Sequence, residues 1–172
     1  NERIRVAVSR CYRSENVGAF LSGGIDSSTI AGVMSEQLDR ARTFTIGFKE
    51  PGYDETGYAR ITTDHFKTDH NEYFVSAQDV VDSLPLIADF YDEPFGNSSV
   101  VPTYFCAKMA REHGISAMLG GDGGDEIFAG NVRYVTQQIF ALYFRVPAAL
   151  RRFVIEPLAF RTPGASRFLR PE

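Results

Sequence analysis

Over its first 130 residues the chain repeats strand-like and helix-like hydrophobic patterns in turn. A short apolar run, VGAFL at residues 17–21, ends at Ser-Gly-Gly. The next apolar positions have helical spacing and predict an amphipathic helix: Ile30, Val33, Met34 and Leu38. The pattern therefore indicates a strand, a tight loop and a helix in that order.

The same order recurs along the chain. TFTIGF at residues 43–48 is β-branched and aromatic, which is typical of a strand, and a helix is predicted over 54–66. NEYFV at residues 71–75 indicates a third strand. A helical apolar face then extends over 80–91, and Pro85 is expected to kink or split that helix because proline lacks the N–H of a helical hydrogen bond.

A fourth strand precedes a second glycine-rich segment. Residues 101–113 have a helical pattern, and ISAML at 115–119 indicates a strand that leads directly into GGDGGDE. Strands that alternate with helices favour a mainly parallel sheet with helices on both faces. We therefore predict an α/β fold, a three-layer αβα sandwich.

The pattern changes beyond residue 130. A long aromatic helical stretch reaches Phe144, and an Arg- and Pro-rich tail without a further strand follows. We predict one domain over residues 1–144, with 145–172 as a helical continuation of it. Because the tail carries apolar residues such as Phe153 and no clear element to bury them, we expect the domain to be incomplete at the C-terminus.

Length and composition are those of an ordinary globular protein. The chain has 172 residues, of which 44% are hydrophobic, and no apolar run approaches the roughly 18 residues of a membrane-spanning helix. NERIRVAVSR at the N-terminus lacks the layout of a signal peptide, so we expect a cytoplasmic protein with no membrane partner. Cys11 and Cys106 form no metal or disulfide pattern and are interpreted as packing residues.

The net charge of −4 argues against a nucleic-acid partner, but the charge is unevenly distributed. Residues 145–172 contain six Arg and two Glu and carry +4, so the rest of the chain carries −8. We interpret this tail as a solvated surface rather than as a site for a polyanion.

The segment SGGIDSS, residues 22–28, is called the first loop below. Its glycines allow backbone N–H groups to approach an anion, and the helix N-terminus and the serine hydroxyls favour phosphate. Asp26 would repel phosphate unless a cation such as Mg²⁺ lay between them. The alternative is a plain turn in which Asp26 or Ser27 caps the helix. The segment contains neither GxxxxGK(S/T) nor GxGxxG, which excludes a Walker-type loop and gives little support to a dinucleotide fold.

The segment GGDGGDE, residues 120–126, is called the second loop below. It brings Asp122, Asp125 and Glu126 onto a flexible backbone, where they are unfavourable without a cation or a shared proton. A solvated acidic turn at a helix start is the alternative. Because ligands of parallel sheets usually bind beyond the carboxyl ends of the strands, Asp26 and Asp125 could together hold one or two Mg²⁺ ions over a pyrophosphate.

The first loop resembles the pyrophosphate-binding loop of the ATP-pyrophosphatase, or PP-loop, group of adenylating enzymes. In combination with TFTIGF, YDEP and LGGDGGDEIFAGNVRY, it resembles the synthetase domain of the asparagine synthetase family, and the likeness extends from Ile4 to Tyr134. The resemblance implies the adenine nucleotide alpha hydrolase-like fold. It also implies an amide-forming ligase that uses ATP and Mg²⁺ to convert a carboxylate, normally the side chain of aspartate, into an acyl-adenylate with release of pyrophosphate, before ammonia attacks.

The resemblance also implies the residues of the site. By motif position, pyrophosphate would be held by Ser22, Gly23, Gly24, Asp26 and Ser27. The adenosine site would be formed by Leu21, Ile46, Gly120 and Gly121. The magnesium ligands would be Asp26 and Asp125.

The chain departs from the family pattern in the second loop. Asparagine synthetases proper usually have SGEGSDE, so Asp122 stands where they have a glutamate, a candidate proton acceptor, and Gly120 and Gly124 stand where they have serines. We therefore predict Asp122 as the catalytic residue. Its shorter side chain leaves the substrate open between aspartate and a related carboxylate.

A second departure concerns groups that the resemblance implies but the chain lacks. The family's glutaminase domain begins with a cysteine nucleophile, whereas this chain begins at Asn1, and no lysine follows Lys108 where a stabilising one is implied. We expect ammonia to come from a glutaminase domain outside this chain, and the chain by itself to be inactive. The sequence leaves the oligomeric state open, and a homodimer is one of the possible states.

Two other functions stay open. One is a different PP-loop adenylating enzyme, for a nucleobase or tRNA, against which TFTIGF and GDGGDE argue; the other is a non-catalytic nucleotide-binding module.

Asp92 and Glu93 either end a helix or face the ligand. The three histidines have no metal-ligand spacing and are interpreted as helix-end or surface residues: His65, His70 and His113.

Overall fold

The computed structural model describes residues 2–11, 16–49, 54–93, 96–128 and 132–161. The chain consists of two compact units, Asn1–Phe128 and Ala129–Glu172. The first unit contains, in chain order, α1 (Glu2–Cys11), β1 (Val17–Phe20), α2 (Ile25–Gln37), β2 (Arg42–Phe48), α3 (Thr56–Phe66), β3 (Asp69–Val75), α4 (Ala77–Phe90), α5 (Val100–Glu112), β4 (Ala117–Leu119) and α6 (Gly124–Phe128). The predicted alternation of strands and helices is confirmed.

The four strands form one parallel sheet in the order β3-β2-β1-β4. Gly18 of β1 lies opposite Arg42 of β2 on one side and Met118 of β4 on the other. The chain thus builds the sheet outward from β1 in one direction and later places β4 on the other side of β1. Such a reversal is a topological switch point, where open parallel sheets form their ligand crevice.

One face of the sheet is covered by α1, α2 and α3. Val17 and Ala19 of β1 pack with Val8 of α1 and Met34 of α2, and all four side chains are buried. A smaller cluster joins α2 to α3 beside the end of β1, and it consists of Leu21, Ala31 and Ala59. The small alanine side chains allow the two helices to approach each other closely.

The opposite face is covered by α4 and α5. Phe44 of β2 is fully buried and packs with Cys106 and Met109 of α5. Gly18 makes room for that ring, because a Cβ at Gly18 would lie 2.8 Å from Cε2 of Phe44. Ile87 of α4 belongs to an adjoining cluster. Helices on both faces confirm the predicted three-layer αβα sandwich.

Pro85 does not split its helix, contrary to one of the two outcomes expected from the sequence. Helix α4 extends from Ala77 to Phe90 and begins with a capping box between Ser76 and Asp79. The proline leaves the carbonyl of Val81 without its helical donor, but Val81 is 59% exposed. Water can therefore satisfy that carbonyl, and the helix continues.

The interpretation of Cys11 as a packing residue is wrong, since Cys11 is exposed whereas Cys106 is buried. Helix α1 buries only Val8, so its last residue remains at the surface.

The interpretation of His70 as a helix-end or surface residue is also wrong. Strand β3 begins at Asp69, two residues earlier than predicted, and this extension brings His70 into the sheet. There its Nδ1 lies 2.9 Å from Oγ1 of Thr43 and its Nε2 lies 3.2 Å from Oε1 of Glu72. Burial lowers the pKa of the imidazole. His65 and His113 lie at helix ends, as predicted.

In the part of the second unit that the structure describes, every regular element is a helix or a helical turn. It contains α7 (Val132–Arg145), α8 (Ala148–Leu150), a π-helical turn (Arg151–Ile155) and α9 (Glu156–Arg161). The guanidinium of Arg151 lies 5.0 Å and 4.9 Å from the ring centroids of Tyr143 and Phe144. Phe153 is 75% exposed, as expected for the tail. The domain boundary predicted after residue 144 falls near the end of α7 and stays a prediction.

Among the described residues, no helix combines the length and the apolar character needed to cross a membrane.

Candidate functional site

The first and second loops lie next to each other at the switch point, because they follow the neighbouring strands β1 and β4. A cleft of about 830 Å³ opens there, and nine of the residues predicted from sequence line it: Leu21, Ser22, Asp26, Ser27, Ile46, Gly120, Gly121, Asp122 and Asp125. Gly23 and Gly24 belong to the first loop but do not line the cleft. A crevice of this size at this position is where a nucleotide is expected in an open parallel sheet.

Serine hydroxyls hold the first loop in shape. Ser22 Oγ lies 3.0 Å from Ser27 Oγ, and the Ser22 N–H donates to Ser27 Oγ at 3.2 Å. The Gly24 N–H donates to Ser22 Oγ at 3.3 Å. Helix α2 has Gly24 as its N-cap and makes no side-chain cap hydrogen bond. The alternative in which Asp26 or Ser27 caps the helix is therefore wrong, and the start of α2 faces the cleft without a side-chain cap.

Gly23 is required by its backbone conformation and by its surroundings. Its φ angle is +83°, which L side chains rarely adopt. A Cβ there would also lie 2.4 Å from Cβ of Tyr58 and 2.5 Å from the backbone N of Ala59. The loop thus turns directly against α3. Ser28 also faces α3, since its Oγ lies 2.9 Å from Oγ1 of Thr62 and so is not directed at a ligand.

Two glycines of the second loop make room for Asp26 of the first. A Cβ at Gly121 would lie 2.8 Å from Cβ of Asp26 and 2.9 Å from the backbone N of Ser27. A Cβ at Gly124 would lie 2.2 Å from Cγ of Asp26. Side chains at either position would push the two loops apart. Asp26 is thus the point at which the loops meet.

The acidic residues of the two loops repel each other electrostatically. Partial burial raises the pKa of Asp26, and the negative charges of Asp125 and Glu126 raise it further. A cation between Asp26 and Asp125 would remove this repulsion, so the donor set fits Mg²⁺. Within the described residues no group of three or more His, Cys, Asp or Glu side chains forms a metal site. A magnesium ion there would therefore need phosphate oxygens and water as its other ligands, which is usual for this ion.

Asp122 lies at the cleft beside this acidic pair. It is exposed and lines the cleft, and a Cβ at Gly120 would lie 2.5 Å from its Oδ2. The glycine thus allows the Asp122 carboxylate to fold back over the loop.

The part of the cleft formed by the body of α5 was not predicted from sequence, whereas the sequence indicates Ser99 as a helix cap and also as a candidate substrate contact. Helix α5 contributes Pro102, Thr103 and Cys106 to it, and Ser99 lies at the helix start. The thiol of Cys106 donates to the carbonyl of Phe44, with 3.3 Å between sulfur and oxygen, and burial raises its pKa to about 12. The thiol is therefore not a nucleophile. The helical pattern of residues 101–113 indicated a buried face but not which residues border a cleft.

Residues 92 and 93 are exposed and do not line the cleft, so the structure favours the helix-end interpretation of Asp92 and Glu93. Glu55, just before α3, does line it.

The parallel three-layer fold and a loop of this form at its switch point define a domain of the PP-loop ATP-pyrophosphatase type. The sequence model described as asparagine synthase matches residues 1–171, and the chain belongs to that family.

Named relatives agree with this assignment. A protein of Methanocaldococcus jannaschii, provisionally named glutamine-hydrolyzing asparagine synthetase 2, is 44% identical over 137 residues, which cover 78% of this chain and 26% of the relative. Asparagine synthetase 1 (glutamine-hydrolyzing) of Bacillus subtilis is 32% identical over 148 residues, covering 86% of this chain and 23% of the relative. The chain thus spans about a quarter of the length of these relatives.

Proposed function

We propose that this chain is the ATP-using part of an amide-forming ligase, which activates a carboxylate as an acyl-adenylate and releases pyrophosphate before ammonia forms the amide. The observation that carries the proposal is the packing of Asp26 in the first loop against Gly121 and Gly124 in the second, beside a cleft at the switch point of the sheet. Membership of the asparagine synthase family supports the same reaction class.

In the proposed site, the first loop binds the phosphates of ATP. The N-terminus of α2 and the hydroxyls of Ser22 and Ser27 supply donors to the leaving pyrophosphate, and Gly23 and Gly24, which do not line the cleft, form the turn that positions them. Leu21 and Ile46 offer apolar contacts to adenosine. Gly120 and Gly121 offer backbone contacts to it, since they have no side chains to block the cleft.

Asp26 and Asp125 would hold Mg²⁺, and the ion would neutralise phosphate charge while pyrophosphate leaves. The carboxylate substrate attacks the α-phosphorus of ATP, so a carboxylate oxygen becomes bonded to AMP and the bond to pyrophosphate breaks. Ammonia then attacks the acyl carbon and expels AMP. Asp122 lies at the cleft in a position to accept the proton that the attacking ammonia loses.

Ammonia is expected from a glutaminase domain outside this chain, because the named relatives hydrolyse glutamine and are about four times as long as the matched region. Asp122 is one methylene shorter than the glutamate usual in asparagine synthetases proper, so the substrate class is aspartate or a related carboxylate. We expect the protein to act in the cytoplasm, without nucleic-acid or membrane partners.

The test uses the full-length protein with ATP, Mg²⁺, ammonium and a panel of carboxylates that includes aspartate. We expect pyrophosphate release that depends on one carboxylate. When that carboxylate is labelled with ¹⁸O, AMP should carry one ¹⁸O atom. Release of ADP and phosphate would contradict adenylation, and a protein that binds ATP without any turnover would be a non-catalytic module.

A further inference from the structure

We propose that Thr45 is a positioning residue for the first loop, although it lies on the next strand of the sheet. The proposal rests on the proposed function, in which this loop binds pyrophosphate. Thr45 belongs to β2 and is only 3% exposed. Its hydroxyl donates to the backbone carbonyl of Leu21, the residue directly before the loop.

Strand β2 holds Leu21 at both of its backbone polar groups. The Leu21 N–H donates to the carbonyl of Phe44 at 2.9 Å, which is the last backbone bond from the end of β1 to β2. Beyond that bond, the hydroxyl of Thr45 binds the Leu21 carbonyl. The side chain of one threonine thus extends the contact between the strands by one peptide group, to the start of the loop.

The consequence for the loop follows from the planarity of the peptide bond. The Leu21 carbonyl and the Ser22 N–H belong to one rigid plane, so fixing the first orients the second. That Ser22 N–H donates to Ser27 Oγ at 3.2 Å. Ser22 Oγ in turn accepts from the Gly24 N–H at 3.3 Å. Thr45 therefore anchors one end of a hydrogen-bond chain that sets the direction of the loop's donors.

Thr43 provides a matched control on the same strand. It lies two residues before Thr45, so both side chains point to the same face of the sheet, and it is fully buried. Its hydroxyl lies 2.9 Å from Oγ1 of Thr68 and 2.9 Å from Nδ1 of His70, and it makes no hydrogen bond to the first loop. The two threonines share residue type, strand and burial. They differ because Thr45 contacts the first loop and also lines the cleft, so hydrogen exchange of the loop is the measurement that separates positioning from direct contact with a ligand.

The experiment compares full-length Thr45→Val, Thr45→Ser and Thr43→Val with the wild type. Calorimetry measures the Kd for magnesium pyrophosphate, and mass spectrometry measures hydrogen exchange in peptides that cover residues 20–28. Thermal unfolding establishes that each variant is folded. Valine keeps the shape of threonine but leaves the buried carbonyl without its donor, whereas serine retains the hydroxyl.

We expect Thr45→Val to weaken pyrophosphate binding about tenfold and to speed exchange at the first loop, since a buried carbonyl loses its only side-chain donor. Thr45→Ser should keep the Kd for magnesium pyrophosphate and the exchange rate of the first loop near their wild-type values. Thr43→Val should leave both quantities unchanged even if it lowers the Tm.

The proposal is overturned if loop exchange in folded Thr45→Val matches the wild type, even when its affinity for pyrophosphate falls, or if Thr43→Val has the same effects. A wild type that binds neither ATP nor pyrophosphate would reject the proposed function, and loop exchange in Thr45→Val would still decide the role of Thr45.

Discussion

The first and second loops occupy equivalent positions after neighbouring parallel strands, but they are organised in different ways. Hydroxyl groups shape the first loop, since Ser22 and Ser27 bond to each other and to its backbone. Missing side chains shape the second loop, since Gly121 and Gly124 leave the space that Asp26 occupies. Apart from Gly23, whose turn against α3 leaves no room for a side chain, the first loop depends on donors and acceptors. The second loop depends on the space that its glycines leave.

This difference teaches which substitutions each loop tolerates. Removing a hydroxyl should damage the first loop, whereas adding a methyl group should damage the second. Asp26 belongs to the first loop in sequence and fits into the second in space, so its replacement affects both.

Asp26→Asn should have the largest effect, because it removes charge at the point where both loops meet. We expect ATP-dependent pyrophosphate release to fall about a thousandfold, the loss expected when a magnesium ligand loses its charge. Turnover is measured by pyrophosphate release with saturating substrates. Asp89→Asn on the exposed surface of α4 is the control. Turnover of Asp26→Asn near that of the control would remove Asp26 from the proposed magnesium site.

Gly121→Ala should come next and should reduce pyrophosphate release about a hundredfold, since a displacement of about 1 Å in a catalytic group has that effect. The new Cβ would lie 2.9 Å from the backbone N of Ser27, and backbone cannot rotate away. Gly57→Ala in α3 is the control, because a Cβ there meets nothing within 4 Å. Full activity in Gly121→Ala would show that close contact between the loops is unnecessary.

Ser27→Ala should weaken ATP binding about tenfold, because Ser22 loses its hydrogen-bond partner within the first loop. Binding is measured by calorimetry in the presence of Mg²⁺. The adjacent variant Ser28→Ala removes a hydroxyl that contacts Thr62 of α3 instead, so it should lower stability by about 1 kcal/mol and leave binding unchanged. Equal affinities for ATP in the two variants would argue against a loop organised by hydroxyls.

The sequence predicted most of the fold because its signals are local. Apolar periodicity identified the four strands and the helices between them, and Gly-Gly at residues 23 and 24 marked the loop after β1. Predictions failed where a neighbouring element decided the outcome. His70 entered the sheet because β3 begins at Asp69, and Cys11 stayed exposed because α1 buries only Val8.

The sequence by itself determined which chemical groups the site contains: serines and glycines in the first loop, and carboxylates in the second. Only the tertiary structure decided that β4 lies beside β1, so that Gly121 and Gly124 meet Asp26. It also decided that Thr45 reaches the carbonyl of Leu21, 24 residues earlier in the chain. Periodicity reports which face of a strand or helix is buried, but contacts between distant segments depend on strand order and on close packing, which no local pattern encodes.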